Sequence, residues 1–198
     1  MPERLVVIGG DAAGMSAASQ ARRRREPDDL EIVAFERGAY TSYSACGIPY
    51  FIGGVVNDAA SLIVRTPEAF LQRQSIDARV RHEVIEIDLA KRAVKVRLTE
   101  DATESWEGFD QLLIATGGVP TRPALGHSDA YGIFGIQTQD DGLAVRAFLQ
   151  KERPTRAVVI GGGYIGLEMA EALVSSGLNV ILIERRAEPM SSFDPEMG

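Results

Sequence analysis

Ala157-Val158-Val159-Ile160-Gly161-Gly162-Gly163-Tyr164-Ile165-Gly166 decides how this chain is read. Its first four residues are apolar and mostly β-branched, which suits a strand. Gly161, Gly163 and Gly166 then complete the spacing G-x-G-x-x-G. Glycines at such a turn let backbone N–H groups approach a pyrophosphate, and the N-terminus of the next helix favours its negative charge. That helix is expected from Leu167 to about Ser176, with Gly177 as its stop. Val180 to Ile183 reads as the next strand, closing on Glu184. An acid about twenty residues past the turn is placed to accept hydrogen bonds from ribose hydroxyls. Strand, glycine turn, helix, strand and acid form a dinucleotide-binding βαβ unit.

The same order occurs upstream. Leu5 to Ile8 is wholly apolar, which suits a parallel strand buried on both faces, and Gly9-Gly10-Asp11-Ala12-Ala13-Gly14 follows. A helix is expected from Met15 to about Glu26, ended by Pro27, then a strand from Leu30 to Phe35 that closes on Glu36. Asp11 stands where the middle glycine of the spacing would be. The fold class is therefore α/β, with one Rossmann-like domain and the start of a second. Between the turns, Thr66 reads as the N-cap of a helix that has Pro67 at its first position and runs to about Gln74. Val80, Val84, Ile85, Ile87, Val94, Val96 and Leu98 alternate as antiparallel strands joined near Ala90-Lys91-Arg92. They predict a β-meander over about 78–100, inserted in the first domain. Phe109 to Ala115 is a further buried strand, stopping at Thr116-Gly117-Gly118. The expected domains are 1–120 and 139–198, joined by a Gly- and Pro-rich connection over 121–138, with a helix from Asp140 to Lys151. The second unit has only strand, helix and strand, where a mononucleotide-binding half has a further strand. The chain is thus expected to be the N-terminal part of a longer protein.

Composition bounds the partners. The 198 residues are 45% hydrophobic and 25% charged, an ordinary globular balance. A net charge of -7 argues against nucleic acid and anionic membranes as partners, despite the run Arg22 to Arg25. No stretch approaches the ~20 apolar residues of a membrane helix. A single cysteine excludes an internal disulfide and points to a reducing compartment, the cytoplasm. His82 and His127 stand alone, and no metal site is expected.

The one cysteine lies in Ser42-Tyr43-Ser44-Ala45-Cys46-Gly47-Ile48-Pro49-Tyr50. Its small neighbours let a ligand or a flat ring come close to the sulfur. A short helix starting here would favour the thiolate. The alternative is a buried structural thiol.

Ser42-Tyr43-x-x-Cys46-Gly47-x-Pro49-Tyr50, the two turns and Ala115-Thr116-Gly117 together resemble the pyridine nucleotide–disulfide oxidoreductases. Within them the chain is most similar to the single-cysteine branch: coenzyme A disulfide reductase, NADH oxidase and NADH peroxidase. The resemblance implies FAD held by Gly9, Gly14 and Glu36, with backbone contact near Val84 and Thr116-Gly117. It implies NADH or NADPH held by Gly161, Gly163, Tyr164, Ile165 and Gly166, with Glu168 near the nicotinamide and Tyr164 gating the flavin face. Glu184 favours NADH by repelling a 2′-phosphate, although Arg185-Arg186 could accept one.

Cys46 would be the redox nucleophile. Phe51 stands where dithiol relatives have their second cysteine, so the oxidised form is a mixed disulfide with an external thiol, or a sulfenic acid. Ser16, Gln20 and Arg23 match the first-helix residues that contact coenzyme A in the family, and Ser42 joins them. Ala12 stands where the oxidases and peroxidases carry a histidine, which favours coenzyme A disulfide or a similar small disulfide or persulfide as substrate. Ala45 replaces a family asparagine and Gln74 a family lysine, which leaves room for other disulfides. The NADH oxidase or peroxidase reading is the alternative, and a non-catalytic nucleotide-binding fragment is another. The full-length protein is expected to be a homodimer, and this piece alone is expected to be inactive.

Overall fold

The computed structural model describes residues 2–122, 126 and 130–190. In chain order its elements are β1 (Glu3–Ile8), α1 (Ala12–Arg22), β2 (Leu30–Phe35), a 3₁₀ turn (Ala45–Gly47), α2 (Ile48–Ile52), a second 3₁₀ turn (Ala59–Leu62), α3 (Pro67–Gln74), β3 (Ile76–Arg79), β4 (His82–Asp88), β5 (Ala93–Leu98), β6 (Glu104–Gly108), β7 (Gln111–Ile114), α4 (Gln139–Glu152), β8 (Arg156–Ile160), α5 (Tyr164–Ser175) and β9 (Asn179–Ile183). They form two compact units, Met1–Tyr43 with Ile63–Gly118, and Ser44–Leu62 with Val119–Gly198. Among the described residues no helix is long and apolar enough to cross a membrane.

The first unit is built on four parallel strands in the order β3-β2-β1-β7. Successive side chains of a strand point to opposite faces, so β1 and β2 each feed two apolar layers. Leu5, Val7, Leu30, Ile32 and Ala34 pack with Met15 and Ala18 of α1 and Phe70 of α3. Val6, Ile8, Val33 and Phe35 pack with Val94 and Val96 of β5. Each fully buried Val, Ile or Phe stabilises the unit by roughly 1.5–3 kcal/mol. The expectation of a strand buried on both faces holds for β1, and β2 is buried in the same way.

The meander differs from the sequence reading. Ile76–Arg79 pairs with β2 as a parallel edge strand, and the antiparallel sheet is β4-β5-β6. Its third strand reaches Gly108, beyond the expected limit near residue 100. Glu-Ser-Trp-Glu-Gly carries no apolar alternation. Cross-strand pairs hold it instead: Lys95 is ion-paired with Glu104. Lys91 also lies 5.6 Å from the centroid of the Trp106 ring. Ile85 is the extra residue of a bulge between Val84 and Glu86.

In the second unit β8 and β9 pair in parallel, with α5 against them. One face of this pair is open: Val158, Ile160, Ile181 and Ile183 are 51–58% exposed. The helix α4 starts on a full capping box. Thr138 Oγ1 accepts from Asp141 N at 3.2 Å, and Asp141 Oδ2 accepts from Thr138 N at 2.7 Å.

Residues 44–62, read from sequence as part of the first domain, group with this second unit because α2 packs on α4 and α5. Two glycines permit that packing. A Cβ on Gly142 would lie 2.8 Å from Ile48 Cγ2, and one on Gly53 3.2 Å from Ala172 Cα. Arg146 Nη1 closes the end of α2 by donating to Phe51 O at 2.5 Å and Val56 O at 2.7 Å. His127 lies outside the described residues.

Candidate functional site

The two glycine turns have the same build. Gly9 and Gly161 have φ of +112° and +111°, a region glycine alone enters without strain. Gly9 N donates to Phe35 O at 2.9 Å and Gly161 N to Ile183 O at 2.8 Å. A Cβ on Gly14 would lie 1.9 Å from Gly9 O, and one on Gly166 1.9 Å from Gly161 O. The last glycine therefore seats the first helical turn directly on the glycine loop. For this reason α1 begins at Ala12 and α5 at Tyr164, inside each motif and ahead of the expected Met15 and Leu167.

The acids do something the sequence did not reveal. Glu36 Oε2 accepts from Gly10 N at 2.8 Å and Oε1 from Gly38 N at 2.7 Å. Glu184 Oε2 accepts from Gly162 N at 2.6 Å and Oε1 from Arg186 N at 2.8 Å. Each carboxylate clamps its own turn. An oxygen of an ionised carboxylate has a second acceptor position, which is what ribose hydroxyls need. The Arg186 and Gly162 amides hold the Glu184 carboxyl below its ordinary range.

Asp11 distinguishes the first turn. It is the N-cap of α1 but its side chain makes no capping bond, and its Oδ1 is buried without a hydrogen-bond partner. Burial pushes its carboxyl up, the Glu36 charge adds to this, and the Ala12 and Tyr43 amides oppose it. The orphaned Asp11 Oδ1 lies at the turn whose backbone N–H groups would face a pyrophosphate. Gly163, at the matching place, has open space around it. Past β7, Thr116 and Gly117 follow Ala115, whose N donates to Ile8 O at 2.8 Å and whose carbonyl leaves no room for a Cβ on Gly9. Gly9, Gly14, Glu36, Thr116 and Gly117 thus gather near the carboxyl ends of β1, β2 and β7, where ligands bind in such sheets. Val84, in β4, packs its side chain against the Val6–Phe35 cluster. In the second unit Tyr164 and Ile165 are exposed on the first turn of α5, with Glu168 exposed one turn on.

A groove of about 270 Å³ in the first unit brings Ser16, Arg23 and Ser42 together with Ser19, Arg65 and Gln74. Gln20 does not line it, but its Oε1 accepts from Arg23 Nε at 3.1 Å. Ser42 holds φ +46°, a strained value for a residue with a Cβ. Its N donates to Gly10 O at 3.1 Å, which ties the groove to the first glycine turn. Arg65 and Ser19 were not visible as site residues in the sequence, since no spacing or motif marks them.

Cys46 is the middle residue of the 3₁₀ turn Ala45–Gly47 and is exposed. Among the described residues nothing buries its thiol. The helix α2 begins two residues later, at Ile48, not at the cysteine. A Cβ on Gly47 would lie 2.5 Å from Leu62 Cδ2, so a side chain there must displace Leu62. Along the chain Cys46 follows Ser42 of the groove by four residues.

Known proteins match over this whole span. A family model described as "Pyridine nucleotide-disulphide oxidoreductase" matches residues 3–198. An NAD(P)H coenzyme A polysulfide/persulfide reductase of Pyrococcus horikoshii is 38% identical over all 198 residues, which are 43% of that protein. A coenzyme A disulfide reductase of Staphylococcus haemolyticus is 34% identical over 98% of the chain and 43% of its own length. The crystal structure of reduced Bacillus anthracis CoADR-RHD superimposes with a TM-score of 0.95 at 34% identity, covering all of this chain and 35% of the other. The chain spans less than half the length of the curated relatives it matches.

Proposed function

The chain belongs to the pyridine nucleotide-disulphide oxidoreductase family, and from that premise we propose that it forms part of a flavin-dependent NAD(P)H:disulfide oxidoreductase. The substrate is coenzyme A disulfide or a similar low-molecular-weight disulfide or persulfide, reduced through Cys46. The observation that carries this reading is the single exposed cysteine, held between small residues just after the segment that lines a cationic, hydroxyl-bearing groove.

Gly9, Gly14, Glu36, Thr116 and Gly117 would hold FAD. Gly161, Gly163, Tyr164, Ile165, Gly166 and Glu184 would hold the pyridine nucleotide. Bound FAD supplies a route for two electrons from the nicotinamide to sulfur. Cys46 thiolate attacks the substrate disulfide, one sulfur–sulfur bond breaks, and one thiolate leaves. The mixed disulfide on Cys46 then takes up two electrons, which releases the second thiolate and restores Cys46. Over the cycle one disulfide, one NAD(P)H and one proton become two thiols and NAD(P)⁺. Glu184 disfavours a 2′-phosphate, so NADH is the preferred donor. A lone thiolate nucleophile suits the cytoplasm, and the full-length protein is read as a homodimer.

The test is Cys46→Ser in the full-length protein. Disulfide-dependent NADH oxidation should fall on the order of 10³-fold or more, with flavin content retained. Unchanged disulfide turnover in that variant would rule out the redox role of Cys46.

A further inference from the structure

We infer that Arg146 anchors α2 from α4 and so sets the position from which Cys46 meets a disulfide. This deepens the proposed function and rests on it for that reaction. Every contact behind it lies within the second unit.

A helix as short as α2 needs support from outside. It has five residues, Ile48–Ile52, and Cys46 lies two residues ahead of it. A helix leaves its last four carbonyls without intrahelical partners, and in five residues that is most of them. The turn that follows supplies part: Gly53 N donates to Pro49 O at 2.8 Å and Val55 N to Tyr50 O at 2.9 Å. Side chains of α4 and the end of α5 supply the rest. Arg146 Nη1 donates to both Phe51 O and Val56 O, as described above. Gln139 Nε2 donates to Ala59 O at 3.0 Å, further along the segment. Ser176 Oγ has one proton for two acceptors, Ile52 O at 3.2 Å and Ala172 O at 2.9 Å, so its hold on α2 is divided.

Arg146 makes the largest part of this hold. Hydrogen bonds from a cationic donor are shorter and stronger than neutral ones. Arg146 has no carboxylate partner among the described residues, so its charge is directed at these carbonyls. The guanidinium also lies 4.4 Å from the centroid of the Phe51 ring, and Phe51 is buried. Gln139, Gly142 and Arg146 follow at spacings of three and four, which puts them on one face of α4. Ile48 packs on that face at Gly142, where a Cβ would leave it no room. The first residue of α2 is thus seated at Gly142, and its last carbonyls are tied one turn further along α4 at Arg146. With both ends of α2 fixed, the path of the chain back to Cys46 is fixed as well. Arg146 acts through α2 and is a positioning residue.

The test uses the full-length flavoprotein and Arg146→Met, which keeps the apolar contact with Phe51 and loses the donors. Hydrogen exchange read by mass spectrometry reports the anchor directly. Amides in peptides over 44–62 should exchange about tenfold faster, with peptides over β1 and β2 unchanged. The kcat for disulfide-dependent NADH oxidation should fall about 10- to 100-fold. Reduction of ferricyanide takes electrons from the flavin without Cys46, one NADH reducing two ferricyanide ions and releasing a proton. That rate should stay within about twofold, which a generally weakened fold would not allow. Arg146→Lys keeps a cationic donor and should recover part of the disulfide rate. Unchanged exchange over 44–62 in Arg146→Met would overturn the inference. Faster exchange there with full disulfide turnover would also overturn it, as would an equal loss of both activities. A natural protein that reduces ferricyanide and no small disulfide would instead sink the disulfide reading, and the exchange over 44–62 would still decide whether Arg146 anchors the cysteine segment.

Discussion

At the scale of single residues, Asp11 is the most informative departure in the first turn. Its carboxyl is pushed up in the folded chain by burial, with the Glu36 charge adding to it. A carboxyl whose folded pKa is raised contributes stability below its unfolded pKa and loses it as pH rises through the folded value. Neutral pH is therefore the costly side. Asp11→Asn should raise the melting midpoint by about 2 °C at pH 7 to 8. Below about pH 3 the carboxyl is largely protonated in both the folded and the unfolded chain, and the two proteins should melt together. An equal gain at both pH values would contradict this account. The sequence marked Asp11 as a defect in a motif, and its orphaned oxygen appears only once burial is known. Arg65 was less legible still. Its partners Thr41, Phe70 and Gln74 share no helical or strand period with it, and only the path of the folded chain brings them together. Its small neighbours left Cys46 open between a reactive and a buried structural thiol, and its exposure in a 3₁₀ turn was not legible.

At the scale of elements, strands were read better than helix starts. Leu5 to Ile8 and Leu30 to Phe35 are apolar runs bounded by glycine or acid, so β1 and β2 could be placed almost to the residue. Thr66 and Pro67 gave the start of α3, because Thr66 Oγ1 does accept from Ala69 N at 3.3 Å. The helices after the glycine turns were read as starting late, since glycine has low helix propensity and the close seating of Gly14 and Gly166 is tertiary. That seating makes a test. A Cβ cannot stand 1.9 Å from a carbonyl oxygen, so Gly14→Ala and Gly166→Ala must each shift one turn. In the full-length protein Gly14→Ala should lose most of its flavin absorbance. Gly166→Ala should keep its flavin, and its Kd for NADH should rise about tenfold or more. Loss of flavin in Gly166→Ala with none in Gly14→Ala would reverse the assignment of the two turns.

At the scale of the whole molecule, the repeat gives its own control. The first unit's Val6, Ile8, Val33 and Phe35 are at most 7% exposed, covered by Val94 and Val96 of the meander. The second unit's matching positions are Val158, Ile160, Ile181 and Ile183, which pair in the same parallel register and lie 51–58% exposed. An apolar run records the need for a cover and not what supplies it. No described residue covers the second face, and an apolar sheet face of this kind is a docking surface or an aggregation liability. We expect the full-length protein to cover it with further chain, as β5 covers the first. Ile181→Asp tests this by its sign. In the 198-residue chain alone it should reduce self-association, seen by light scattering, because the face is wet. In the full-length protein it should destabilise the fold on the order of 3 kcal/mol, since an unpaired carboxylate would be buried. A harmless Ile181→Asp in the full-length protein would show that the face stays open to water there as well.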